Sequence, residues 1–188
     1  MSFQSSKKYE EYAYVLDFLR NGKLDVKRQA YTHEPVIQAV GEEFFTLLEL
    51  TPKKDVTVNT HERVFIGVGN RDKIDHVKKR IDYEELTTTA KMELPVAVEK
   101  IVDKRELDFI NFFNEARPLT NRMHQLELLP GIGKKLMWEI IEERKKKPFD
   151  NFNDLVTRVR ISDPKKMIVK RILNELEKQD KYQIFTRF

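Results

Sequence analysis

Residues 126–144 read LELLPGIGKKLMWEIIEER, and the residues on either side of the two glycines decide how the C-terminal third folds. Upstream, Met123, Leu126 and Leu129 fall on one face of a short helix. Downstream, Leu136, Met137, Ile140 and Ile141 fall on one face of a second. LPGIGKK therefore joins two packed helices. Pro130 closes the first, Gly131 and Gly133 admit backbone angles barred to other residues, and Ile132 points back between the pair. What faces outward is backbone. The amides of Gly131, Gly133 and the following lysines open a helix whose dipole adds partial positive charge, and Lys134 and Lys135 add full charges. A phosphodiester oxygen matches such a concavity in size and sign. From these residues alone, a tight bend with no ligand stays open as the plainer role of the glycines.

A weaker copy follows. Lys165-Lys166-Met167-Ile168 repeats Lys134-Lys135-Leu136-Met137 thirty-one positions later, with Ile172 where Ile141 fell and Asp163-Pro164 at the turn. Lacking glycine and carrying Asp163, this copy reads as structural more than phosphate-binding. Pro148, Phe149, Phe152 and Leu155 between the copies read as connector and core. Arg144, Lys145, Lys146 and Lys147 end the helix after the first turn, where cations oppose the dipole and are solvated, or serve as further phosphate contacts. Trp138, the sole tryptophan, lies off the apolar stripe and either covers other parts of the chain or stacks on a base.

Toward the N-terminus the texture changes. Strand-like runs at 13–19, 35–40, 44–50, 56–58 and 63–68 are punctuated by Asn21-Gly22, Gly41-Glu42, Thr51-Pro52 and Gly69-Asn70. About five short strands with tight turns fit a small OB-like barrel, an architecture that binds oligonucleotides or serves only as scaffold. From Arg71 the steps become three and four residues, through Ile74, Val77, Ile81 and on to Ile110 and Phe113, which predicts helices interrupted at Pro95 and ended at Pro118. The expected class is α+β, with an OB-like barrel over 1–70, connecting helices over 71–120 and a tandem helical unit over 121–188.

Composition limits what the chain does. Charged residues are 35% and mean hydropathy is -0.59, but 40% apolar content with twelve phenylalanines calls for a folded core. No apolar run is long enough for a membrane span, and MSFQSSKKYEEY lacks a signal-peptide core, so a soluble cytoplasmic protein is expected. The absence of cysteine excludes disulfides, zinc ribbons, iron–sulfur clusters and thiol catalysis. His33, His61, His76 and His124 show no ligand spacing, and no nucleotide-binding glycine motif is complete, so no metal and no cofactor is expected. The net charge of +4 conceals an asymmetry: residues 121–188 hold 16 Lys and Arg against 10 Asp and Glu, leaving 19 against 21 for residues 1–120. That C-terminal excess favours a polyanionic partner.

Residues 126–144 resemble the helix-hairpin-helix motif of proteins that grip DNA or RNA backbones without reading sequence. The resemblance implies phosphate contact through Gly131 and Gly133, beside Ile132, with support from Lys134 and Lys135. Met137 departs from it, standing where such motifs place a small residue, which implies a splayed hairpin. Over its whole length the chain resembles the archaeal domain of unknown function family 655, on YAYVLDFL (12–19), IQAVGEEFFTLLEL (37–50), ERVFIGVGNRDKIDHVKKRI (62–81), FFNEARPLT (112–120) and LELLPGIGKK (126–135). That family has no established activity. The resemblance implies an OB-like barrel, a C-terminal SAM-like helical unit and binding of RNA or DNA, RNA being favoured because exposed barrel aromatics such as Phe65 suit single-stranded bases. Two rivals remain. A protein-interaction module would use the helical unit for docking. A base-excision glycosylase, which LPGIGKK also resembles, would place a catalytic Asp at Asp150 or Asp154 and a Lys nucleophile in the hairpin, but little helical mass is left for a base pocket.

Overall fold

In YAYVLDFL, aromatic and β-branched residues suit a strand, and its middle is wholly buried. The computed structural model describes residues 9–25, 30–179 and 181–186. Residues 1–8, part of the stretch with no signal-like core, lie outside them. The chain divides into two compact units, Met1–Ala97 with Thr186–Phe188, and Val98–Phe185.

The first unit contains β1 (Tyr12–Leu19), β2 (Lys23–Asp25), β3 (Ala30–Thr32), β4 (Val36–Gly41), β5 (Leu47–Pro52), β6 (Arg63–Phe65) and β7 (Ile74–Arg80). Five of these form one antiparallel sheet in the order β6-β1-β4-β5-β7, and β2 pairs with β3 as a separate hairpin. Register shifts in β1 after Val15 and at two places between β5 and β7 bend the sheet into a half-barrel. Its core gathers Val15, Ile37, Ala39, Leu50, Val64 and Ile74. The α+β class and the curled sheet agree with expectation.

Three local expectations need correction. Residues 74–80 are a strand, not the start of a helix. In β7, Ile74, Val77 and Arg80 sit opposite Pro52, Leu50 and Leu48, so the two irregularities turn the two-residue repeat of a strand into steps of three. Residues 56–58 form no strand, although Val58 is buried. And β5 begins at Leu47 instead of Phe44, because the buried Glu10 carboxylate gathers the N–H groups of Glu43 (2.7 Å), Phe44 (3.0 Å) and Thr46 (3.1 Å) into a turn, with Phe45 at φ 55°. Burial pushes the Glu10 carboxyl above the ordinary carboxylate range, and those N–H donors pull it back.

Helix α1 (Thr88–Lys104) continues through Pro95. It is capped by Thr87, whose hydroxyl accepts from Ala90 N and donates to Asp17. The second unit then builds α2 (Glu106–Glu115), a short ribbon of β8 (Pro118–Thr120) and β9 (Met123–His124), one turn of 3-10 helix at Gln125–Leu128, and helices α3 (Lys134–Lys146), α4 (Phe152–Arg158) and α5 (Pro164–Leu176). Pro118 opens β8; α2 has already ended at Glu115. Phe113, Leu126, Leu129, Ile140, Leu155, Ile168 and Ile172 are among its fully buried residues.

Inside this apolar unit Arg171 and Glu175 form a buried ion pair at 2.8 Å. Arg171 donates to Leu128 O (3.2 Å) and Tyr182 O, and Glu175 accepts from Ile184 N (3.0 Å) and Phe185 N (3.1 Å). Replacing one partner strands the other charge in a dry interior. Arg171→Met is expected to cost about 3–5 kcal/mol in urea denaturation followed by circular dichroism.

Candidate nucleic-acid interface

The turn at 129–133 follows from its two ends. Leu129 N bonds Leu126 O and Ile132 N bonds Leu129 O, both at 3.1 Å, so the chain leaves the 3-10 turn in a tight coil. The expected upstream helix is only this one turn. Met123 belongs to β9, because its backbone pairs with Thr120 before the helical turn begins. Ile132 is buried, as its apolar side chain requires. Gly131 has φ 91°, a left-handed angle that demands glycine. Gly133 differs: with φ -89° and ψ 178° it is ordinary extended backbone, and a Cβ there would meet nothing within 4 Å.

Gly133 caps α3 without a side-chain acceptor, whereas Asn151 caps α4 by accepting from Asp154 N and Asp163 caps α5 by accepting from Lys166 N. The first hydrogen bond of α3 is Met137 N to Gly133 O at 2.9 Å. The N–H groups of Gly133, Lys134, Lys135 and Leu136 consequently have no protein acceptor among the described residues. Beside them lies a shallow hollow of about 290 Å³ lined by Gly133, Lys135, Leu136, Glu139 and Arg160. Glu139 is occupied in accepting from Arg160 N at 3.2 Å.

The charged candidates separate sharply. Lys134 is held by Arg122 O (2.8 Å) and Glu127 (3.0 Å), which closes the turn from outside. Lys135 is exposed and has no partner among the described residues. Arg144 donates to Phe113 O and Ala116 O, both at 2.9 Å, and so caps α2; it points into the fold instead of toward a ligand. Lys145 pairs with Glu142 and Lys146 with Glu143 on the exposed face. Lys165 is pinned between Glu99 (2.9 Å) and Asp103 (2.7 Å), while Lys166 pairs with the capping Asp163. Phe65, in the other unit, is half-buried against Tyr12 with ring centroids 5.2 Å apart, so it is not the exposed aromatic expected. Trp138 is 56% exposed, three residues from Lys135 and on the same helix face.

Sequence reasoning missed Arg160. It sits in the segment between α4 and α5, outside any motif, and only folding brings it beside Gly133. Asp150 and Asp154 are spent on local structure: Asp150 takes Lys147, and Asp154 accepts from Asp150 N and Arg158. The Asp150 N–H and Arg158 hold the Asp154 carboxyl below its usual range. The histidines are dispersed, with His33 against Tyr31, His61 against Glu93 and His76 against Asp75. No group of three potential ligands that could hold a metal occurs among the described residues. None of the helices described is long and apolar enough to cross a membrane.

A family model for a protein of unknown function, DUF655, matches residues 9–187. The chain belongs to the DUF655 family. The chain is similar to the uncharacterized protein MJ0038 of Methanocaldococcus jannaschii, 48% identical over 184 residues that make up 97% of this chain and 82% of that protein. The crystal structure of Af1531 from Archaeoglobus fulgidus, also assigned to DUF655, is similar with a TM-score of 0.82 at 48% identity, covering 95% of this chain and all of the other.

The DUF655 turn is buttressed by His124. Its Nδ1 accepts from Leu126 N at 3.1 Å, and its backbone N–H donates to the Glu127 carboxylate at 2.9 Å. An accepting Nδ1 must be unprotonated. Burial, with Arg144 adding to it, pushes the His124 pKa below its ordinary value, so its contribution is present above about pH 6.5 and is lost as pH falls through the lowered folded value. His124→Ala is expected to cost about 1 kcal/mol at pH 7 by losing the cap. His124→Asn, which keeps an acceptor, should retain most of that stability and flatten the fall in urea midpoint between pH 7 and pH 5. An unchanged pH slope in His124→Asn would refute this role.

Proposed function

We propose that this is a cytoplasmic protein that binds nucleic acid through the phosphate backbone at the 131–135 turn, without sequence readout and without chemistry of its own. One observation carries the reading. Gly133 is a glycine that the fold does not use: its backbone angles are ordinary, and the space where a side chain would stand is empty. What the missing side chain provides is access, for a ligand atom approaching the free amides of the first turn of α3. Gly133 is also a tolerated helix cap, but a cap for stability alone is better made by Ser, Asp or Asn, as α4 and α5 use.

Lys135 and Arg160 flank those amides with charges not neutralised inside the protein. A phosphodiester satisfies both the amides and the cations, and the resemblance of 126–144 to the helix-hairpin-helix motif points the same way. The exposed indole of Trp138 gives an unpaired base a surface to stack on, which favours single-stranded RNA. Nothing in the turn presents a side-chain array to a major groove.

Fluorescence anisotropy with labelled single- and double-stranded RNA and DNA tests the reading. Contact with two to four phosphates gives a slope of log affinity against log salt of about -2 to -4. Gly133→Val, which the open space accommodates, is expected to weaken binding at least about tenfold, since it shields the amides, while costing the fold only about 1 kcal/mol as a poorer helix cap. Lys135→Glu combined with Arg160→Glu should abolish most of the salt dependence. Absence of binding at low salt would move the reading to a protein-docking module, and full affinity in folded Gly133→Val would remove the turn as the contact.

A further inference from the structure

The first unit contains a cleft of about 600 Å³, within the range of about 300–1,000 Å³ common for small-ligand sites. It exists because the five-stranded sheet curls without closing, β6 and β7 both remaining edges. Its floor is apolar, formed by Leu48, Ile66 and Val77. Arg80 lies opposite Leu48 across the β5–β7 ladder, so it projects onto the same face as that apolar floor. Arg80 is exposed, so its charge is solvated at the edge of that floor and stays open to an anion. Arg80 has no partner among the described residues.

The rim repeats the pattern. Arg71 donates to Gly67 O (2.9 Å) and Asp75 O (3.2 Å), which fixes its guanidinium while leaving its charge uncompensated by any carboxylate. Tyr9 stands at the mouth, 65% exposed. Of the two acidic residues at the rim, Glu10 is consumed by its three backbone donors, and Glu11 has no side-chain partner among the described residues.

From this juxtaposition we infer that the cleft binds a nucleoside phosphate, its planar base laid between Tyr9 and the apolar floor and its phosphate taken by Arg80 and Arg71. A purely apolar ligand would bury the arginines without partners, and a bare anion would leave the floor wet. A ligand with a flat, weakly polar body and an anionic group answers both, and the free Glu11 carboxylate suits the exocyclic amino group of a base. Tyrosine rings and guanidinium planes are the surfaces on which unstacked bases settle. The site lies entirely in the first unit and does not depend on the 131–135 turn.

The same chemistry comes from a free nucleotide or from an unpaired residue within a strand. Nitrogen-15 NMR titration of the full chain separates them, using adenosine 5′-monophosphate in one arm and single-stranded triadenylate in the other. Saturable shifts of the Ile66, Gly67, Val68 and Arg80 amides are expected in at least one arm. Comparable affinity in both arms identifies a free nucleotide; at least tenfold tighter binding of the trimer identifies a strand. Arg80→Glu, exposed and so tolerated by the fold, should weaken these shifts tenfold or more, as should Val68→Glu at the fully exposed mouth. No shift at 66–68 with either probe at millimolar concentration overturns the inference, as does an unaffected affinity in folded Arg80→Glu. Shifts confined to 131–135 would overturn it while leaving the turn's role standing, and shifts confined to the cleft would do the reverse.

Discussion

The Arg171–Glu175 pair is the constraint on which the second unit depends. A buried ion pair stabilises little by itself when its desolvation is set against its attraction. Its value here lies in what it holds. The guanidinium fastens the carbonyl of Leu128, the last residue before the turn, and the carboxylate fastens the backbone at 184–185. Apolar side chains around Leu126 and Ile172 would pack in several registers. A charge that must find one particular carbonyl admits only one, so the start of LPGIG is set by α5, some forty residues later in the chain.

Arginines repeat this service elsewhere in the unit. Arg144 closes the end of α2 through Phe113 O and Ala116 O. Arg158 gathers Glu143 O and Lys147 O, both at 2.6 Å, at the end of α3, with its guanidinium over the Phe149 ring. Each donates to carbonyls at the end of a helix. A linear count of basic residues cannot distinguish these from cations that face solvent alone. The excess of 16 over 10 in residues 121–188 is real, yet much of it is spent on helix ends and on pairs such as Lys165 with Glu99 and Asp103.

Much of the fold was legible from local pattern. β1, β4 and most of β5 follow from aromatic and β-branched runs between turns, and α3 from the spacing of Met137, Ile140 and Ile141. Two of the misreadings have one physical source, long-range partners altering a local period. β7 reads as helical because its two irregularities bring Ile74 and Val77, three residues apart, onto one face, and those irregularities belong to the pairing with β5. The start of β5 shifts because Glu10, more than thirty residues earlier, gathers the amides of the preceding turn. In the candidate interface the glycines were legible as a turn, but their difference was not. Gly131 is required by its backbone angle and Gly133 is not, a distinction that only coordinates express.

That difference bears on where the proposed phosphate contact would draw its binding free energy. Residues that build the turn, Gly131, Ile132 and Lys134, are occupied with angle, burial and ion pairing, so altering them changes the shape of the site before it changes its contacts. Groups open to the proposed ligand are those the fold leaves unused: the Gly133 N–H and the side chains of Lys135 and Arg160. Lys134 and Lys135 are adjacent and chemically identical, yet one stabilises the turn and the other faces outward. Rigidity and attraction are therefore divided between neighbouring residues. For the proposed phosphate contact, a turn held in place before any ligand arrives would lose little conformational entropy on binding, so that two cations and a few amides would suffice.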